Sequence, residues 1–192
     1  MDNREAPPEG GASRCEGVGQ AGGEKPVAER TQRRGRRAPL LGLVVLLALT
    51  WAFVAEPFRI PSESMEPTLR PGDQVLLDKL SYRLGSPHRD DLAVFRSPDD
   101  GEIALKRIVG LPGDRIGIED GVLKVNGHLK RETYVDYRFT DSVYFGPVTV
   151  PPGHVFVMGD NRSNSRDSRD YGPVAEKDLM GRVLVRFWPL SR

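Results

Sequence analysis

The chain has 192 residues, with 28 lysines and arginines against 27 aspartates and glutamates, a net charge of +1 and a single cysteine. That length holds one ordinary domain with extensions, since domains commonly run to roughly 100 to 200 residues. The balanced charge gives no electrostatic case for a nucleic-acid partner, and the lone Cys15 excludes both an intramolecular disulfide and a CxxC metal site.

Residues 1–37 hold ten Gly or Pro, eight Arg or Lys, six Asp or Glu and almost no large apolar side chains. Such a stretch buries too little surface to offset its ordering entropy, so a disordered tail is expected. Its "GVGQAG" has GxGxxG spacing, but a dinucleotide fingerprint needs a strand before it and a helix after it, and neither is present.

Next comes "APLLGLVVLLALTWAFVA", Ala38 to Ala55, eighteen residues without a charge. At about 1.5 Å per residue a helix of that length reaches roughly 27 Å, close to a bilayer core of roughly 30 Å. Arg30, Arg33, Arg34, Arg36 and Arg37 crowd its N-terminal side and Glu56 opens the other. The positive-inside rule then places the tail in the cytoplasm and residues 56–192 outside, with Trp51 and Phe53 near the outer interface. A cleaved secretory signal competes, with Leu40 to Leu49 as its apolar core and "TWA" as the cleavage triplet. The long tail and the apolar continuation through Phe53, Val54 and Ala55 favour a retained anchor.

The outer region reads as β. Pro-Gly pairs precede apolar-rich segments in "RPGDQVLL", "LPGDRIGI" and "PPGHVFVM", and such a pair fits the centre of a type II turn. Strands are predicted in "DQVLLDKL", "DLAVFR", "EIALKRIVG", "DRIGIE", "GVLKV", "HVFVMG" and "GRVLVRFW", each short and rich in β-branched or aromatic residues. "VLKVNGHLK" predicts a hairpin turning at Asn126 and Gly127. No segment outside the span has a convincing amphipathic helical period. The expected fold is mainly antiparallel β, barrel-like or sandwich-like, tethered by one transmembrane helix.

Three segments raise the question of chemistry. "RIPSESMEPTLRPGD" sets Ser62 and Ser64 between prolines; they are candidate nucleophiles, or plain turn caps. His88, His128 and His154 sit in loop or turn contexts, and GxSxG, HExxH and SxxK motifs are all missing. Lysine also activates serine if burial keeps it neutral. Alternation along "EIALKRIVG" puts Lys106 on one face with Ala104 and Ile108, and Arg107 on the other with Leu105 and Val109. The plain alternative is an edge lysine whose ammonium escapes to water. "VMGDNRSNSRDSRDYGPV" fails as a calcium loop, because Arg162 sits where an oxygen ligand is required. As a site wall it offers Ser165 as a hydroxyl to orient a lysine, and Asp167 with Arg169 as a structural ion pair.

Together these segments resemble the signature boxes of the bacterial type I signal peptidases, membrane-anchored serine proteases. "PSESMEPTL" is similar to the nucleophile box, "GDQVLLDKLSY" to the following one, "KRIVGLPGD" to the lysine box and "GDNRSNSRDSRDYGPV" to the last, in family order. The resemblance covers roughly residues 38–188 and implies Ser64 as nucleophile, Lys106 as general base, the Ser64 N–H and Ser62 hydroxyl as oxyanion hole, and Ser165 as the group holding Lys106. It further implies that Phe58, Ile60, Met65, Leu69, Ala104 and Leu105 line S1 and S3 subsites for small residues, with no metal or organic cofactor. Implied partners are preprotein signal peptides, the lipid bilayer and the export translocon; the implied location is the cell membrane. The roughly forty residues between the last two boxes imply a small β-cap. Two other readings stand beside this one: a related Ser/Lys peptidase dedicated to one substrate, and a non-catalytic anchored domain that binds extended peptides.

Overall fold

A computed structural model describes residues 42–43, 54–137, 140 and 144–190 of the chain. The predicted tail with Cys15 lies outside the described residues, as does the predicted span except for Gly42, Leu43, Val54 and Ala55. Among the described residues no helix is long and apolar enough to cross a membrane.

The fold is mainly antiparallel β, in two sheets. Strands β1 (Ala55–Arg59), β2 (Gln74–Asp78), β3 (Leu92–Arg96), β4 (Ile103–Gly110), β9 (His154–Met158), β10 (Val174–Ala175) and β11 (Leu179–Trp188) form the larger sheet, in the order β1-β2-β11-β3-β4-β9-β10. Between β4 and β9 the chain leaves to build the smaller one from β5 (Arg115–Glu119), β6 (Val122–Val125), β7 (His128–Leu129) and β8 (Phe145–Thr149), in the order β7-β6-β5-β8. All seven predicted strands are present. Two four-residue helices, α1 (Ser81–Leu84) and α2 (Ser168–Tyr171), are too short to show a helical period in the sequence.

The turn chemistry sets the strand entries. Gly72, Gly113 and Gly153 have φ of 89°, 85° and 68°, the values that the second central position of a type II turn requires. Each turn closes through a backbone hydrogen bond: Asp73 N–H to Arg70 at 3.0 Å, Asp114 N–H to Leu111 at 2.9 Å and His154 N–H to Pro151 at 3.2 Å. The predicted hairpin joins β6 and β7, with Asn126 and Gly127 both at positive φ.

Three apolar clusters fill the interior. Ile60, Met65 and Leu69, from the loop between β1 and β2, pack with Val75, Leu77, Val94 and Leu105. A second cluster joins Ala93, Phe95 and Ile108 to Val155, Val157, Val174 and Leu179. The third lies between the sheets, where Val109, Phe156 and Met158 meet Ile116, Ile118 and Leu123. The β1–β2 loop is therefore no loose excursion: its apolar side chains are core, and its ends are pinned where Ile60 N–H donates to Asp73 at 2.8 Å and Gly72 N–H to Ile60 at 2.9 Å.

A buried ion pair locks this loop to the rest. Arg107 on β4 donates Nε to Asp160 Oδ1 at 2.8 Å and Nη2 to Asp160 Oδ2 at 2.6 Å, while the Thr68 hydroxyl donates to the same Oδ2 at 2.5 Å. The Tyr134 ring covers the guanidinium, 3.8 Å from centroid to Cζ. Removing one partner of a buried pair strands an uncompensated charge, at a cost of about 3–5 kcal/mol. Asp160→Ala should therefore lose stability of that order in urea unfolding, and adding Arg107→Met should recover much of the loss; an Asp160→Ala cost within ~0.5 kcal/mol of zero, the range of an ordinary surface change, would contradict this role.

Candidate active site

Ser62, Ser64 and Lys106 open onto one cleft of about 590 Å³, together with Pro61, Glu63, Pro71, Asn164 and Arg166. The three chemistry-bearing segments of the sequence thus meet there, from the β1–β2 loop, from β4 and from the loop after β9. The Ser62 and Ser64 hydroxyls lie 3.2 Å apart, within hydrogen-bond distance. Anchored by Met65, which is 1% exposed, Ser64 is itself buried at the base of the cleft.

Lys106 is 5% exposed. It pairs across the ladder with Ala93, whose neighbours in the second cluster include Ile108 and the partly buried Ala104, so the predicted apolar face is the one that packs. Burial lowers the lysine pKa; the Asp167 carboxylate opposes the shift and the Arg169 guanidinium adds to it, with a net fall from the ordinary 10.5. Lowering the pKa raises the neutral fraction at any given pH, which is the form that takes a proton.

The loop after β9 forms the opposite wall, and Asp167 organises it. Its Oδ2 accepts from Gly159 N–H at 2.9 Å, the Ser165 hydroxyl at 2.9 Å and Arg169 Nη2 at 2.8 Å, while Oδ1 accepts from Arg169 Nε at 2.8 Å. Its own N–H donates to Asp170 Oδ2 at 2.9 Å, completing a capping box at α2. Burial works against the Asp167 charge, yet the Arg169 hydrogen bonds and charge, together with the Gly159 N–H, more than offset it and hold the carboxyl below its usual range. Ser165 spends its proton on Asp167, which leaves its oxygen lone pairs as what it offers an ammonium.

The wall is joined to the β1–β2 loop by hydrogen bonds. Asn161 N–H donates to the Ser64 carbonyl at 3.0 Å, Asn161 Nδ2 to the Glu63 carbonyl at 3.3 Å and Asn164 Nδ2 to Glu63 Oε2 at 3.2 Å. Gly159 permits this approach: a Cβ there would lie 2.2 Å from Ser165 Oγ and 2.6 Å from the Ser64 carbonyl oxygen. Behind it, Arg162 donates Nε to the Gly159 carbonyl at 3.0 Å and Nη2 to the buried Glu132 Oε1 at 2.6 Å.

The residues expected to line subsites divide. Ile60, Met65, Leu69 and Leu105 belong to the first cluster, with Phe58 packed against it. Ala104 lies against the second cluster. Asp167 and Arg169 are paired at 2.8 Å. Sequence reasoning passed over Asn161, Asn164, Gly159 and the Arg107–Asp160 and Arg162–Glu132 pairs. The only signal for these was the density of Arg, Asp and Asn in one loop, which a solvated loop shares.

Comparison with known proteins gives a consistent picture. Residues 36–188 match the family described as signal peptidase, peptidase S26. The chain is 42% identical over 156 residues to a probable signal peptidase I-2 of Synechocystis sp., covering 78% of this chain and 70% of that one. It is 37% identical over 178 residues to a signal peptidase I of Bacillus caldolyticus, covering 86% of this chain and 97% of that one. A crystal structure of a signal peptidase I from Enterococcus faecalis V583 is 34% identical, with a TM-score of 0.47, covering 52% of this chain and 97% of that chain. With a match that spans residues 36–188 and relatives at this level of identity, the chain belongs to the signal peptidase, peptidase S26 family.

Proposed function

We propose that this protein is a membrane-anchored serine endopeptidase that removes N-terminal signal peptides from exported preproteins, cutting after small residues at P3 and P1. The observation that carries the chemistry is the convergence of Ser64 and a buried, pKa-lowered Lys106 on one cleft. Residues 1–37 are the cytoplasmic tail, 38–55 the single transmembrane helix and 56–192 the extracytoplasmic peptidase domain. The export translocon and the bilayer are its partners; the anchor raises the local concentration of the site where the substrate's apolar segment ends.

Neutral Lys106 takes the proton from Ser64 Oγ as that oxygen attacks the scissile carbonyl carbon. The carbonyl oxygen becomes an oxyanion held by the Ser64 N–H and the Ser62 hydroxyl, the latter already 3.2 Å from Ser64 Oγ. The Lys106 ammonium then gives its proton to the departing amine as the carbon–nitrogen bond breaks, leaving an acyl-enzyme on Ser64. A water molecule, deprotonated by Lys106, attacks the acyl carbon, and the Lys106 ammonium returns the proton to Ser64 Oγ as the acyl carbon–oxygen bond breaks. Ser165 orients the Lys106 amine, and the Asp167–Arg169 pair fixes the loop that carries it. Activity rises with pH as Lys106 loses its proton, along a limb set by the lowered lysine pKa.

A substrate lying extended in the cleft sends alternate side chains to one wall, so P1 and P3 read the same apolar surface. Phe58, Ile60, Met65, Leu69, Ala104 and Leu105 supply that surface, and shallow apolar pockets over a packed floor admit only small side chains.

Ser64→Ala and Lys106→Met should each lower cleavage of a presecretory substrate in lipid vesicles by roughly a thousandfold or more, as removal of a nucleophile or its base does elsewhere. Either variant cutting at the parent rate would remove that residue from catalysis, and no cleavage by the parent of several unrelated preproteins would sink the general peptidase reading. Ser62→Ala should reduce kcat by about 10² to 10³ with a smaller change in KM, the loss expected for one oxyanion donor. An unchanged kcat would strip Ser62 of that role.

A further inference from the structure

The cleft carries two charges that the proposed chemistry does not use, Glu63 and Arg166. Arg166 lines it beside Ser62, Ser64 and Lys106, and its side chain is 68% exposed, so the guanidinium stands in solvent at the rim. It is nevertheless held in place. Arg166 Nη2 lies 2.6 Å from Asp99 Oδ2, so the residue is paired with the turn joining β3 to β4. The cleft's anion, Glu63, has a separate partner there, its Oε2 accepting from Asn164 Nδ2 at 3.2 Å. The cleft therefore presents a fixed cation and a fixed anion on different elements, and a guanidinium has five N–H donors, more than one carboxylate can occupy.

We infer that Arg166, steadied by Asp99, is a specificity-determining residue that recognises an acidic side chain just after the scissile bond, in the first residues of the mature protein. This rests on the peptidase reading above. P1 and P3 are small, P2 points away from the wall in an extended peptide, and the signal segment before them is apolar. Carboxylates that reach the cleft come from the mature side. An exposed pair of this kind is worth little, about a two- to fivefold preference, and salt screens it.

The test uses the full chain in lipid vesicles and presecretory substrates that differ only in Asp, Asn or Lys at one of the first three mature positions. Within each enzyme the ratio of kcat/KM for the Asp substrate to that for the Lys substrate is measured, which cancels any change in overall activity. The parent should favour Asp about two- to fivefold at one or more positions, less so at high salt. Arg166→Glu should invert the ratio and Arg166→Lys should keep its direction. A parent that cuts all substrates without charge preference, or an Arg166→Glu variant with the parent's ratio, overturns the inference and leaves the peptidase reading standing. A parent that cuts none of them overturns both.

Discussion

Two cations stand side by side on β4, and the protein meets the cost of burying each in a different way. Strand alternation sends Lys106 and Arg107 to opposite faces, both into the interior. Burial also works against the charge of Arg107, but a guanidinium does not give up its proton in a protein, so it must be paired; Asp160 does this, and the net effect holds the charge more firmly. Lysine has another way out, and among the described residues no carboxylate is hydrogen-bonded to Lys106. Desolvation then shifts it toward the neutral amine. One residue is made a permanent charge that ties the fold together, and its neighbour is shifted toward its neutral form.

The same pair explains how distant segments are held in register. Asp160 takes hydrogen bonds from Arg107 on β4 and from Thr68 on the nucleophile loop, while its own loop reaches back through Asn161 to the Ser64 carbonyl. Ile60, Met65 and Leu69 pull that loop down into the first apolar cluster. Serine hydroxyls on a mobile loop would spend much of their time misplaced; here the side chains that flank them are core. The small sheet contributes too, since Tyr134 and Glu132, in the segment after β7, cover Arg107 and pair with Arg162.

The strands most legible in the sequence are those whose two faces both bury apolar residues or whose entries carry Pro-Gly turns, such as β2, β4 and β9. The ones that escaped notice have a common cause. β1, "AEPFR", and β8, "FGPVT", each contain a proline and each lies at the edge of its sheet, where a missing N–H is tolerated. β10 is two residues long, below any periodicity. At the site, residue type and alternation made Ser62, Ser64, Lys106, Ser165, Asp167 and Arg169 candidates beside plain structural readings, and only the family resemblance implied the roles of the serines and Lys106. The pairings that hold them were not readable, because Arg107 and Asp160 are 53 positions apart and Thr68 and Asp160 are 92 apart. Ion-pair partners at such separations follow from sheet order, which local pattern does not encode.

The central claim is that the fold itself lowers the Lys106 pKa, and titration of its amine tests this most directly. In Ser64→Ala protein carrying isotope-labelled lysine, the Lys106 side-chain resonance should titrate below 10.5 and apart from the exposed lysines. A Lys106 amine that titrates at or above 10.5 would contradict the account, because a charged ammonium in that cleft cannot accept the serine proton.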